Sequence, residues 1–369
     1  MEFPFIIFLA KLKKNMKNYL LLLAALLTLT MCQKNAPLVI PPIEPKSEPK
    51  FDFKVDFLDI SNAPLPKGFY VQKMLFDAND KLWILTISQG LYSFDTKTKA
   101  WQKFDARNTP FKSHKSSTET SIALESMDLD IDNNLYVVNK GLAANEFYRF
   151  DGSRWSRDTV GDLITGSIKV NKSNGAVWLT TIAGIYEVRN GQKKLHNDAL
   201  LKTDRGDFLF YDMDIDAQGR TWVAGDNFVA VYDQNTWQRF EINRLANSSR
   251  VNFNLVADKN NKIWTGIADE FRAFDGQNIV FNCQDSLSVR NFSLVWAEIN
   301  PATNHFFLTS FSNGLMFIEP EKNKYTLLNQ RNTDFPKGVN DWQVTAFDSK
   351  GTVWVGGDGF IGRLPANVR

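Results

Sequence analysis

Short runs of alternating apolar and polar residues fill most of the chain, and they come in sets. The set at 71–104 reads VQKMLFDANDKLWILTISQGLYSFDTKTKAWQKF. Its strand-like runs are Val71 to Phe76, Lys81 to Thr86, Gly90 to Phe94 and Ala100 to Phe104, separated by turn residues such as Asp77-Ala78-Asn79-Asp80. The phrase KLWILTISQGLYSFD (81–95) recurs as AVWLTTIAGIYEVRN (176–190), RTWVAGDNFVAVYD (220–233), KIWTGIADEFRAFD (262–275) and TVWVGGDGFIGRLP (352–365). Weaker copies begin at Asn134 and His305. The aligned aromatics are Trp83, Tyr136, Trp178, Trp222, Trp264, Phe307 and Trp354, spaced by 53, 42, 44, 42, 43 and 47 residues. Four strands repeating at a period near forty predict sheets arranged around an axis. The expected fold is all-β: a seven-bladed β-propeller of four-stranded antiparallel blades. The last copy ends near Leu364 without a fourth run, whereas Phe53 to Leu58 is a strand-like run with no blade of its own. Pairing the two predicts a ring closed by an N-terminal strand within residues 51–60.

The recurrent residues have physical jobs within that frame. An Asp stands six places before the aromatic in five copies: Asp77, Asp130, Asp216, Asp258 and Asp348. Asp bonds backbone two residues on, so these read as hairpin braces rather than catalytic carboxylates. The second-strand aromatic is expected to fill the wedge between neighbouring blades. Phe94, Phe150, Tyr186, Tyr232, Phe274 and Phe317 are expected to pack on the third strands.

The N-terminal 50 residues have a different character. Lys11, Lys13, Lys14 and Lys17 precede an apolar run from Tyr19 to Leu29, a pattern that suits an export signal and is too short to span a bilayer. Residues 1–31 are therefore expected to be a signal peptide, with Met16 as a second candidate start. Leu29-Thr30-Met31-Cys32 resembles a bacterial lipobox, with Met31 in place of the usual small residue. That resemblance implies cleavage before Cys32 and lipidation of its sulfur. Residues 33–50 hold Pro37, Pro41, Pro42, Pro45 and Pro49, a composition that makes a semi-rigid tether for a domain at 51–369. The expected localisation is a bacterial envelope membrane through a lipid anchor; Gln33 after the Cys resembles lipoproteins of the outer membrane. Beyond residue 31 the chain carries 39 basic and 40 acidic residues, and no basic stripe argues for nucleic acid. Cys283 is expected to pack as a small apolar residue.

The repeats resemble the two-component regulator propeller repeat family, in Asp77…Leu82-Trp83, in Gly90-Leu91-Tyr92-Ser93-Phe94-Asp95 and in Asp348…Val353-Trp354-Val355-Gly356. The linkers SNAPLPKGFYV (61–71) and RNTDFPKGVNDWQV (331–344) resemble that family's approach to each blade. The resemblance implies a propeller like those in periplasmic sensors of hybrid kinases that respond to oligosaccharides. No kinase motif or spanning segment follows the last copy, so a stand-alone propeller is expected.

Signs of catalysis are sparse. Streptogramin lyases, also seven-bladed, rely on a clustered His–Glu–His site, whereas His114, His196 and His305 fall in different repeats and read as surface residues. No phosphate loop, zinc spacing or nucleophile elbow occurs, so neither cofactor nor metal is expected. First strands line a propeller's channel, and Lys73, Asp128, Lys169, Asp212, Asp214 and Glu298 carry charges there: a ring for a polar ligand, or a solvated wall of balanced charge. The channel mouth gathers Phe69, Tyr70, Tyr211, Phe253, Trp296 and Trp342 near Asp226, Asn227, Asp269, Asn313 and Asp358, a mixture suited to a sugar or to a protein hot spot. The candidate ligand-binding residues are Tyr70, Lys73, Asp128, Tyr211, Asp212, Asp214, Trp296, Glu298 and Trp342. Three functions fit: a non-enzymatic binding module for an oligosaccharide or envelope protein, a lyase or hydrolase using channel carboxylates, and a scaffold subunit.

Overall fold

The computed structural model describes residues 54–58, 63–87, 89–111, 122, 124–139, 145–226, 228–241, 254–267, 270–276, 279–282, 294–310, 314–322, 324–335, 342–365 and 368. Their strands form seven antiparallel sheets of four. In blade one these are Val71–Phe76, Lys81–Thr86, Gly90–Asp95 and Trp101–Phe104, within a residue of the expected bounds. Blades two to six follow in sequence order, and the result is a seven-bladed β-propeller. In blade seven the strands Trp342–Phe347, Val353–Gly357 and Ile361–Arg363 are joined by Asp56–Phe57, with Asp56 opposite Arg363 and Phe57 opposite Gly362. This pair lies inside the expected 51–60; residues 51–53 and 59–60 fall outside the described set, as do His114, Phe253, Cys283 and everything before residue 51.

Each blade is too thin to bury its own faces, and the apolar content collects between blades. Trp83 meets Phe150 of blade two at 6.0 Å, Trp178 meets Tyr232 of blade four at 5.4 Å, and Trp264 meets Phe306 of blade six at 3.9 Å between ring centroids. Trp354 sits 5.5 Å from Phe76, joining blade seven to blade one. Seven buried clusters result, one per junction. The aromatics therefore fill wedges as their position on the second strand dictates.

In blades four and five the hairpin Asp does more than brace its turn. Asp216 Oδ1 accepts from the backbone N–H of Gln218 and of Arg220, both at 3.0 Å, while Oδ2 accepts from Trp222 Nε1 at 2.9 Å. Asp258 does the same for Asn260, Lys262 and Trp264, at 2.8, 3.0 and 3.0 Å. One carboxylate thus ties the turn to the wedge ring. In blades three and six an Asn stands seven places before the aromatic instead. Asn171 Nδ2 donates to Gly219 O at 2.8 Å and Asn300 Nδ2 to Gly351 O at 2.9 Å, each reaching the hairpin of the next blade.

The first strands carry a repeated irregularity. Val71 pairs with Thr86 and Lys73 with Leu85, leaving Gln72 as an extra residue. The same slip occurs at Glu125, Tyr211, Val295 and Gln343, and between Ile164 and Ile168 in blade three. A β-bulge aims two consecutive side chains to one side instead of alternating them. Gln72 with Lys73, Tyr211 with Asp212 and Val295 with Trp296 accordingly both stay partly accessible between buried neighbours.

Candidate channel-mouth site

The bulges build a cavity at the entry end of the first strands. Its volume is about 290 Å³. Its wall comes from six blades: Gln72 and Lys73, Glu125 and Ser126, Gly166 and Ser167, Tyr211 and Asp212, Asn254, and Val295 and Trp296. Of the nine residues expected from sequence, Lys73, Tyr211, Asp212 and Trp296 meet here. Tyr70 bridges to Asp358 at the blade one–blade seven junction. Asp128, Asp214 and Glu298 lie one pleat further along their strands, outside the lining. Trp342 begins blade seven's first strand, and its side chain falls outside the described set, as do Asn227, Asp269 and Asn313. Gln72, Glu125, Ser126, Ser167 and Asn254 were not singled out from sequence.

Two expectations need correction. Phe69 is fully buried in the core between blades seven and one and takes no part in the mouth. His196 is not a surface residue: it is 3% exposed, between blades three and four. Its Nδ1 accepts from Trp237 Nε1 at 3.1 Å, Nε2 lies 3.3 Å from Glu187 Oε2, and the ring stacks on Trp178. Burial pushes its pKa below the usual histidine value, against the pull of Glu187. His305 packs edge-on against Phe317 in blade six. Neither lines the cavity.

An inner strand has one edge paired within its blade and one edge facing the channel, whose N–H groups need acceptors. Channel carboxylates supply them across blades. Asp128 Oδ2 accepts from Val170 N at 2.7 Å, Asp212 Oδ2 from Leu255 N at 3.0 Å and Asp214 Oδ2 from Ala257 N at 2.8 Å. Gln72 Nε2 donates to Glu125 O, and Asn254 Nδ2 to Val295 O, both at 3.0 Å. Side chains therefore link first strands stepwise from blade one to blade six.

The charges are also coupled. Lys169 Nζ contacts Asp214 Oδ1 at 2.8 Å. Burial alone would depress this ammonium, but Asp214, Asp128, Asp212 and Glu298 together raise it. Lys73 is depressed, by burial first and then by Lys169. Its Nζ lies 3.4 Å from Ser126 Oγ and 5.8 Å from the centre of the Trp296 ring. Burial raises Asp212 against the pull of Lys169, and pushes Glu298 up to about 7. Trp296 Nε1 is buried with no acceptor among the described residues. The mouth thus combines two aromatic rings, one ammonium, carboxylates and amide or hydroxyl groups on a rigid wall.

No family model matches the chain, and no curated protein does. Solved structures share its fold at low identity. Virginiamycin B lyase from Staphylococcus aureus superposes with a TM-score of 0.62 at 12% identity, over 84% of this chain and 98% of that one. The extracellular domain of the hybrid two-component system BT4673 of B. thetaiotaomicron gives 0.62 at 14% identity, over 87% of this chain and 44% of that one. YCF48 from Cyanidioschyzon merolae gives 0.56 at 12% identity, over 83% and 98%. At these identities the likeness is one of fold.

Proposed function

We propose that this chain is a non-enzymatic binding propeller, displayed on a bacterial envelope membrane, that engages a glycan at the channel mouth. One observation carries the reading: the bulged first strands turn Tyr211 and Trp296 and a set of polar groups into a single cavity. Aromatic faces stack on the apolar face of a sugar, and Gln72, Glu125, Ser126, Asp212 and Asn254 offer donors and acceptors for its hydroxyls. Carriage on the envelope is supported by the basic, apolar and Cys32 pattern of the N-terminus, and by the extracellular domain among the proteins of like fold.

The test is thermal unfolding of the full-length chain with a panel of oligosaccharides. A ligand at 100 times its dissociation constant adds about 2.7 kcal/mol. A shift that disappears in Trp296→Ala and Tyr211→Ala places the sugar at the mouth; a flat panel removes the glycan reading. Membrane attachment is tested separately: Cys32→Ser should move the protein from the membrane to the soluble fraction, and retention would remove the anchor.

A second reading draws on Glu298. Burial pushes this carboxyl up to about 7, one pleat beyond the cavity lining and in the field of Lys169, Asp214, Lys73 and Asp212, which is the acid–base range that a lyase or hydrolase needs. Turnover of a bound oligosaccharide that ceases in Glu298→Gln, with binding retained, would establish it.

A further inference from the structure

The wedge between blades two and three differs from its counterparts. Elsewhere a Trp or Phe307 is at most 3% exposed; here the residue is Tyr136, which is only half-buried. A cavity of about 190 Å³ opens beside it, lined by Tyr136, Phe147, Arg149, Ser156 and Asp158 of blade two and by Gly191 and other residues of blade three. Tyr136 stands opposite Arg149 and Arg149 opposite Ser156, so a polar row crosses blade two towards the gap. The turn at Gly191 leaves open space: a methyl group there would meet nothing within 4 Å.

The charges in this wall are unevenly matched. Asp158 Oδ1 is taken by Lys193 Nζ of blade three at 2.6 Å. Arg149 makes no carboxylate contact within 4 Å among the described residues; it hydrogen-bonds Tyr136 and feels Asp151 at longer range, while its Nε is buried without an acceptor. A guanidinium offers a planar fork that fits a carboxylate with two parallel hydrogen bonds. The volume corresponds to about six waters, enough for a carboxylate and the few atoms next to it.

We propose that this inter-blade cleft is a second binding site, separate from the channel mouth, that takes the carboxylate of a small acid on Arg149 with its remaining atoms against Tyr136 and Phe147. The carboxylate could belong to a sugar acid or to an acidic amino-acid side chain, and the probes separate the two.

The experiment is calorimetric titration of the full-length chain with glucuronate, N-acetylglutamate and their neutral counterparts glucose and N-acetylglutamine. At least one acid should bind, with its neutral counterpart at least tenfold weaker. Glucuronate preferred over N-acetylglutamate identifies a sugar-acid site; the reverse order identifies an acidic side chain. Arg149→Met should weaken binding at least tenfold. Tyr136→Trp restores the residue that the other wedges tolerate, so it should fold normally, fill the cleft and abolish binding. Trp296→Ala, in the channel mouth, should leave this binding unchanged. Absence of binding by both acids, equal binding of the neutral counterparts, or full binding in Tyr136→Trp would overturn the proposal.

Discussion

Replacing Asp216 by Ala tests whether the hairpin carboxylate couples turn to wedge. The side chain is fully buried and has four donors: the backbone N–H of Gln218 and of Arg220, Arg220 Nε at 2.7 Å, and Trp222 Nε1. The indole lies in a ring that is 1% exposed, so its N–H finds no water once the acceptor is gone. That alone should cost about 1–3 kcal/mol. The two turn amides can be rehydrated, at about 0.5–1 kcal/mol each, and the partly exposed Arg220 loses about 1 kcal/mol. Together Asp216→Ala should destabilise by about 3–6 kcal/mol, lowering Tm by about 5–9 °C. Asp216→Asn keeps an oxygen for the turn but points an NH₂ at two donors. A double-mutant cycle of Asp216→Asn with Trp222→Phe isolates the indole bond, since lost ring volume cancels, and should give a coupling of about 1–2 kcal/mol. Denaturant unfolding of the four proteins measures it. A coupling near zero, or an Asp216→Ala change under about 0.5 kcal/mol, would show that the carboxylate serves the turn alone and the reasoning is wrong.

Glu298 carries its proton more tightly folded than unfolded, since burial lifts it from 4.5 to about 7. Its contribution to stability is therefore largest below about pH 4.5 and is lost as pH rises to about 7. Glu298→Gln should gain stability relative to wild type across that window, and parallel pH profiles would refute this. Deleting residues through 60 removes the Asp56–Phe57 strand, the buried Val55 and the Asp56–Arg363 ion pair. A loss of about 2–4 kcal/mol is expected from the apolar burial, and an unchanged unfolding midpoint would mean that blade seven stands with three strands. Gly184 has φ +136°, and a methyl group there would run into the carbonyl of His196. Gly184→Ala should cost about 2–4 kcal/mol, against about 1 kcal/mol for Gly152→Ala at φ +93° in open space; equal losses would contradict the clash.

The blade count, strand bounds and wedge aromatics were legible because they follow from periods of two and about forty. The brace was legible in five blades and missed in two, since Asn171 and Asn300 sit seven residues before the aromatic in a turn one residue longer. The cavity wall was half legible. Lys73 and Asp212 were conspicuous as charges on apolar strands, but Gln72, Glu125 and Ser126 were not, because strict alternation sends one of each adjacent pair away from the channel. The signal was present: Val71 to Met74, Leu124 to Met127 and Phe210 to Met213 space their apolar residues by three, as a bulged strand requires. The structural use of Asp128, Asp212 and Asp214 was hidden for another reason. Their acceptors serve strands some 42 residues away, and no local pattern records that pairing.

The repeated bulge also bears on how such a chain can change over time. An ordinary strand residue in this ring has a neighbour on each side that is committed to a wedge, so a new side chain disturbs packing. The bulged pair is freer: in blades one, four and six both members stay partly accessible, and the residues flanking them stay in the core. Substitutions at members that hold no neighbouring strand can rewrite the chemistry of the mouth blade by blade, whereas Gln72 and Asp212 also bond the next blade and Tyr211 and Trp296 also pack on core clusters. A scaffold of this kind partly separates what is recognised from what is stable, and related chains could diverge in ligand at a few positions with little loss of stability.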